Sequence, residues 1–459
     1  MDETIAAIAT AVGEASLGVV RLSGPRAIVI ADQIFRRAGG RRLTDAATHT
    51  VQYGWIVDPA TGADVDEALA TIMRAPKSYT REDVVELSGH GGVVTVRRVL
   101  AAALAAGARL AEPGEFTQRA FLNGRIDLAQ AEAVLQLIRA THDGASTAVL
   151  QQLRGGLSAR LQSVRERLLT TLAHLEVHVD FPGEEHAIWS TEVLNQTLAS
   201  LAEELARWLA AAERNRTQVG GCLTVICGRP NVGKSSLLNA LLRRDRAIVT
   251  PIPGTTRDTL EELVMLEGLP LRLVDTAGVT DSADPIERAG VQRSREALAC
   301  ADLALWVVDG SEPLTPQDLA VAALVQDRRT IVAMNKADLP ARLTPEAVQA
   351  LAPSAPVVSV AARDARGLEV LEAQLLQVIR PELGGNGDVP LVTHLRHQQA
   401  LRETLEAVRR ARVALDDQVS PDLVAVEVRE ALDQLGMITG ETANDELLAT
   451  IFSQFCIGK

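Results

Sequence analysis

Gly228, Gly233, Lys234 and Ser235 carry the spacing of a loop that closes backbone around phosphate, in the stretch Gly228-Arg229-Pro230-Asn231-Val232-Gly233-Lys234-Ser235-Ser236. The apolar run Leu223–Cys227 predicts a buried strand leading in, and Ser235–Leu242 predicts a helix leading out. In such a turn the backbone N–H groups point inward, and the positive end of the helix adds to them. Lys234 then reaches the β- and γ-phosphates of a nucleoside triphosphate, and the Ser235 hydroxyl takes a Mg²⁺ position. A side chain at Gly233 would keep phosphate away from the backbone. The plain alternative, a glycine-rich turn that binds nothing, loses ground with each further motif.

The apolar strand Leu271–Val274 ends in Asp275-Thr276-Ala277-Gly278. There a carboxylate can hold the metal through water, and the Gly278 N–H can meet a γ-phosphate. Another apolar run, Ile331–Met334, delivers Asn335-Lys336-Ala337-Asp338. The Asp338 carboxylate can accept from both N1–H and the exocyclic amine of guanine, a pair of donors that adenine lacks. Between these motifs lies Thr250-Pro251-Ile252-Pro253-Gly254-Thr255-Thr256-Arg257-Asp258, where Thr256 can complete the Mg²⁺ shell when γ-phosphate is present. After the strand Val357–Val360 the base-closing position holds Ala361-Ala362-Arg363, and the Ala362 N–H is expected to meet guanine O6. In this order the motifs predict a domain that binds and cleaves GTP.

The elements that must position these residues follow from length and pattern. A chain of 459 residues suggests about three domains. With 47% apolar and 3% aromatic residues, it is a globular protein built from Ala and Leu and rich in helix. A formal charge of −13 excludes coating of nucleic acid by bulk electrostatics, so any RNA contact must use local patches. Arg36, Arg37, Arg41 and Arg42, or Arg409, Arg410 and Arg412, are the candidate patches, and a solvated face accounts for each more simply. The start, Met1-Asp2-Glu3-Thr4, has no basic leader, and no apolar run reaches about 18 residues, which predicts a cytoplasmic protein with no membrane anchor. Cys222, Cys227 and Cys300 are expected as small core residues without metal spacing. His174 and His178, four residues apart, lack a third ligand and belong to a helix surface, while surface or capping roles suffice for His394 and His397. The ending Cys456-Ile457-Gly458-Lys459 suits a lipidation signal poorly.

Along the chain the fold class is multidomain, α/β combined with all-α. Residues 1–118 mix short β-like runs (Ile5–Thr10, Gly18–Leu22, Val84–Leu87) with one apolar helix, Val93–Ala106, which predicts an α+β domain. Residues 119–218 turn helical, with Leu128, Ala131, Val134, Leu135 and Ile138 on one face, a break at Asp180-Phe181-Pro182-Gly183, and a further run Leu198–Leu209. The nucleotide domain, a doubly wound sheet of the Ras type, is expected at 219–379. Residues 380–459 begin with a Gly-rich linker at 381–388 and return to helix through Leu401–Leu415 and Leu423–Leu435. The helical parts then form one discontinuous bundle into which the GTPase domain is inserted.

Outside the nucleotide domain stand Val20-Arg21-Leu22-Ser23-Gly24, Ser78-Tyr79-Thr80-Arg81-Glu82-Asp83, Glu86-Leu87-Ser88-Gly89-His90-Gly91-Gly92, the stretch from Pro113 to Arg125, and Phe455-Cys456-Ile457-Gly458-Lys459. With these stretches the chain resembles, over its whole length, the TrmE (MnmE) family of tRNA-modification GTPases. The resemblance implies that the N-terminal domain dimerises and binds 5-formyltetrahydrofolate or a related tetrahydrofolate through Arg21, Glu86, Arg125 and Lys459. Arg125 stands where the family often has Lys, so charge is kept with different hydrogen-bond geometry. Also implied are a homodimer and a heterotetramer with an FAD-dependent partner, MnmG (GidA). Together they install aminomethyl or carboxymethylaminomethyl groups at C5 of the wobble uridine of certain tRNAs.

Val279, after Gly278, cannot orient water as a glutamine would, and something must replace an arginine finger. The resemblance implies a K⁺ ion held by Asn231 and the carbonyls of Thr250, Ile252 and Thr255 when two nucleotide domains face each other. It also implies that Glu287 orients the attacking water. On the residues alone, Glu287 is a charge opening a helix, stabilised by the helix dipole. Cys456 admits two readings, a nucleophile towards uridine C6 or, more simply, a residue lining the folate pocket or the bundle end. Two other classes of function share parts of the pattern: a ribosome-assembly GTPase, and a folate one-carbon enzyme that GTP regulates.

Overall fold

The first sheet comprises Ile5–Ile8 (β1), Ala15–Ser23 (β2), Phe35–Arg37 (β3), Thr50–Val57 (β4), Asp64–Met73 (β5), Val84–Gly91 (β6) and Arg109–Leu110 (β7), in the order β3-β4-β5-β6-β2-β1-β7. Neighbouring strands are antiparallel except β1 and β7, which are parallel. Alternation decides which face is buried. In β4, Gln52 and Ile56 point inward while Val51, Tyr53 and Trp55 are exposed; in β5, Ala68, Ala70 and Ile72 are buried and Leu69 is exposed. Helices Ala27–Ile34 and Val93–Ala105 cover the buried face, packing Ile30, Ile34, Val96 and Val99 against Val20, Leu22, Ile72 and Leu87. This is a computed structural model that describes residues 3–140, 143–180, 190–244, 261–267, 269–275, 298, 301–379 and 392–459.

The chain packs as two units, one of Met1–Ile138, Gln152–Ser190 and Val413–Lys459, the other of Arg139–Gln151 and Thr191–Arg412. In the first, the sheet is joined by the helix Leu128–Arg139, whose Leu128, Ala131 and Leu135 meet Ile451, Phe452 and Phe455 from the end of the chain. Ile138, expected on that buried face, is exposed, because it lies in the helix's last turn beyond these partners. Helices Gly156–Asp180 and Pro421–Thr439 run antiparallel, joined by Arg429–Glu176 and Arg165–Glu441 ion pairs. These pairs are surface contacts worth ~0–1 kcal/mol each, so the apolar faces hold the helices together.

The second unit holds Cys222–Cys227 (β8), Glu261–Leu266 (β9), Leu269–Asp275 (β10), Leu303–Asp309 (β11), Thr330–Asn335 (β12) and Val357–Ser359 (β13), in the order β13-β12-β11-β8-β10-β9. All neighbours are parallel except β9, an antiparallel edge. Alternate residues feed two cores: Ile226, Leu273, Leu305 and Ala333 on one face, Val225, Val274, Trp306 and Val332 on the other. A sheet covered on both faces needs apolar residues throughout, and every residue of β11 is buried. Helix Thr191–Gly220 feeds directly into β8, and Leu395–Asp416 lies antiparallel beside it, with Gln398 donating to Ala212 O and Arg412 to Asn195 Oδ1. The chain therefore leaves a helical pair, builds the sheet and returns to the same pair. Among the described residues no helix is long and apolar enough to cross a membrane.

His397 corrects an expectation: it is fully buried, with its ring 5.0 Å from His394 and its Nε2 2.9 Å from the Arg396 guanidinium, so it is a packed residue and not a surface one. Cys222 and Cys227 are buried core residues as expected, and Cys300 lies outside the described residues. His178 caps its own helix turn through the His174 carbonyl. Arg36 and Arg42 spend their charge on Asp64 and Asp32.

Candidate functional site

Strands β8, β10, β11 and β12 are parallel, so the loops at their carboxyl ends gather at one edge, beside the point where strand order reverses. The loop after β8 turns at Gly228 (φ 151°), Asn231 (φ 63°) and Gly233 (φ 96°) and enters the helix Lys234–Arg244. Gly233 is required for two reasons: its conformation is left-handed, and a Cβ there would collide with Asn335 Nδ2. Val232 is fully buried and anchors the loop from below. Ser236 is exposed at the helix start.

Lys234 Nζ donates to Gly228 O and Arg229 O, both at 2.9 Å, so the ammonium lies across its own loop where a triphosphate's oxygens would compete for it. Burial pushes the Lys234 pKa down, and the Asp275 charge opposes this. Cys227 beneath the loop is inert as a thiol, because burial raises its pKa to about 12. The Ser235 hydroxyl donates to Asp275 Oδ2 at 2.8 Å. A hydroxyl and a carboxylate side by side at the phosphate end form the oxygen donor set that Mg²⁺ prefers, directly or through water.

At the base end, Asn335 is buried and braces two loops: its Nδ2 donates to Val232 O at 2.9 Å, and its Oδ1 accepts from Ala362 N at 3.1 Å. The Ala362 N–H, assigned to guanine O6 on sequence grounds, is thus given to Asn335. Ala361 N–H bonds Arg366 O and closes the same loop, and Ala337 N–H bonds Val360 O at 3.0 Å. Lys336 has φ 63° and Asp338 is exposed. Thr250, Pro251, Ile252, Pro253, Gly254, Thr255, Thr256, Thr276, Ala277, Gly278, Val279 and Glu287, together with the linker at 381–388, lie outside the described residues.

A second cluster forms in the first unit. Arg21 and Glu86 are direct cross-strand neighbours on β2 and β6, and Arg21 Nε donates to Glu86 Oε1 at 2.8 Å. Ile457 bridges to Pro113, the Lys459 carbonyl accepts from Phe116 N, and Arg21 also donates to Gly458 O at 3.3 Å. A Cβ at Gly458 (φ 98°) would collide with Ile8 O, so only glycine lets the tail approach so closely. Burial, then the neighbouring Arg21 charge, push the Lys459 pKa down.

Arg125 lies with its guanidinium 4.8 Å from the Tyr79 ring centre and donates to Tyr79 O at 3.2 Å; the Arg21 guanidinium is 5.9 Å from the same ring. Sequence reasoning names the four charged residues but misses Tyr79, the ring that Arg21 and Arg125 share, although it sits in the quoted Ser78–Asp83 stretch. Also missed is the bracing around it: Arg119 binds Glu82 and Glu115, and Asn123 Nδ2 donates to Thr80 O. Arg21 bonded to Glu86, with Arg21 and Arg125 beside the Tyr79 ring, puts cations, a carboxylate and an aromatic face in one cluster, a set that can take a flat ligand with an N–H edge and an acidic tail. Cys456 is exposed, and its carbonyl accepts from Gly114 N and Lys459 N.

Where the tetrahydrofolate that the resemblance implies is the ligand of this cluster, Glu86→Gln is expected to weaken 5-formyltetrahydrofolate binding about tenfold, since a charge-assisted acceptor is lost. Calorimetric titration of the full chain measures this, and an unchanged affinity would remove Glu86 from the site.

A family model described as MnmE helical domain matches residues 128–456, and one described as GTP-binding protein TrmE N-terminus matches residues 4–125. The tRNA modification GTPase MnmE of Geobacillus kaustophilus is 46% identical over 461 residues, covering 100% of this chain and 99% of its own. The protein of the same name from Symbiobacterium thermophilum is 48% identical over 459 residues, covering 100% of both chains. That from Carboxydothermus hydrogenoformans is 44% identical over 460 residues, again covering 100% of both.

Proposed function

Because the chain belongs to the MnmE family of tRNA modification GTPases, we propose that it hydrolyses GTP in the course of tRNA modification. The observation that carries this reading is the gathering of Lys234, Ser235 beside Asp275, and the Asn335-Lys336-Ala337-Asp338 loop at the carboxyl ends of one parallel sheet. Lys234 leaves its own loop carbonyls for the β- and γ-phosphate oxygens. Ser235 and Thr256 hold Mg²⁺, with Asp275 acting through water; Mg²⁺, when bound, neutralises charge on those phosphates. Asp338 selects guanine. Asn231, exposed and left-handed at the rim of the loop, is available with the carbonyls of Thr250, Ile252 and Thr255 for K⁺. Glu287 orients the attacking water.

In the finer reading, the protein is a cytoplasmic homodimer that joins an FAD-dependent MnmG (GidA) partner in a heterotetramer. Together they place aminomethyl or carboxymethylaminomethyl groups on C5 of the wobble uridine of certain tRNAs. The exposed Val51, Tyr53, Trp55 and Leu69, on the sheet face away from its two helices, support self-association of the N-terminal domain. Arg21, Glu86, Arg125 and Lys459 hold the tetrahydrofolate, which carries a one-carbon unit when bound. The domain limits proposed are 1–118, 119–218, 219–379 and 380–459. Mass analysis of wobble uridine in tRNA from cells lacking this chain tests the whole. The C5 group is expected to disappear and to return with the wild-type chain; its persistence would overturn the proposal.

A further inference from the structure

Asp309 closes β11, stands directly opposite Asn335 in the ladder with β12, and is only 4% exposed. Its Oδ2 lies 2.6 Å from Lys336 Nζ. Its Oδ1 accepts from Ser311 N at 2.9 Å and from Ser311 Oγ at 2.6 Å. On the other side lies Arg229 of the phosphate loop, 4.0 Å away, itself held by Glu312 and Asp318. Burial would raise the Asp309 pKa, but Lys336 and Ser311 outweigh it and hold the carboxyl below its usual range. The carboxylate is therefore a fixed anion between the two loops that grip the two ends of a nucleotide.

A lysine on a four-carbon stem loses much rotamer freedom when it is immobilised against a ligand. Lys336 arrives with that freedom already removed, by a left-handed backbone and by the Asp309 carboxylate. Pre-organisation of this kind raises affinity without any new contact to the ligand. Resting on the guanine-nucleotide reading above, we infer that Asp309 is a positioning residue for the nucleotide, acting through Lys336.

The test is a fluorescence titration of the full-length protein with an N-methylanthraniloyl derivative of GDP. Asp309→Asn is nearly isosteric and keeps an acceptor for Ser311 while losing the charge. Asp309→Asn and Lys336→Met are each expected to weaken binding about tenfold, and the double variant about as much as either alone, since both remove one coupled pair. A roughly hundredfold loss in the double variant, or no loss in Asp309→Asn, would overturn the inference. Ser311→Ala, which only loosens the carboxylate, guards against misfolding of the buried variant. It is expected to weaken binding about threefold in the wild-type background and not at all beside Lys336→Met; a loss of equal size in both backgrounds, or no loss in the wild-type background, counts against the inference. Failure of the guanine reading itself has a different signature, a wild-type protein that binds the adenosine derivative as well as the guanosine one.

Discussion

Asp338→Asn is expected to convert a protein that prefers guanosine nucleotides into one that prefers xanthosine nucleotides, moving the ratio of affinities by about 10⁴. Guanine presents two donors, N1–H and the exocyclic amine, to two carboxylate oxygens. An amide offers one acceptor and one donor, so the guanine amine would face another N–H. Xanthine keeps N1–H but has a carbonyl in place of the amine, and the amide meets both. A site built to pair a polar group rejects an analogue that leaves it unpaired far more strongly than an apolar pocket rejects a missing methylene. The geometry suits such an exchange, because the loop is braced by Ala337 N–H to Val360 O and by Asn335 between two loops, while Asp338 itself is exposed. Binding of GDP and of xanthosine diphosphate to both forms measures it. Retention of the guanosine preference by the variant would show that Asp338 does not read the base.

GTP turnover in potassium chloride is expected to exceed turnover in sodium chloride, at equal ionic strength, by about a hundredfold or more. Charge building up between the β- and γ-phosphates must be met by a cation, and the residue after the Asp275–Gly278 motif is Val279, which neither orients water nor carries charge. A cage of carbonyls with the Asn231 amide favours the larger ion, which gives up its water more readily. Affinity for GTP is expected to be similar in both salts, so the effect falls on turnover. Glu287→Ala is expected to bind GTP normally while losing roughly 10²–10⁴ of its turnover, the range of general acid–base catalysis. Equal rates in the two salts would exclude the potassium assignment, and full activity of the variant would take Glu287 out of the reaction.

The nucleotide motifs were legible because each is local. Gly228, Gly233, Lys234 and Ser235 lie within eight consecutive residues, and their backbone angles alone aim the donors. The same holds for strands with continuous apolar runs, such as Thr330–Asn335. The strand Leu303–Asp309 is as apolar as any, yet its site role rests on Asp309, whose partner Lys336 is distant in sequence. Strands β4 and β5 escaped sequence reasoning because one face is exposed and carries Asp64 and Glu67 among the apolar residues.

By itself the sequence determined the glycine-rich loop before the helix Lys234–Arg244, the loop after the strand Thr330–Asn335 and the helical runs, since each depends on contacts spanning a few residues. It named Arg21, Glu86, Arg125 and Lys459 only through resemblance. The tertiary structure alone decided that Arg21 meets Glu86 and the last residues and shares the Tyr79 ring with Arg125, because Arg21 touches Gly458 across 437 positions of chain through a register set by β2, β6 and the bridge from Pro113 to Ile457. It likewise made Asn335 a brace and Asp309 the anchor of Lys336. Such roles depend on which loops the packed sheet brings within about 3 Å of one another, the reach of a hydrogen bond, and no local propensity encodes that distance.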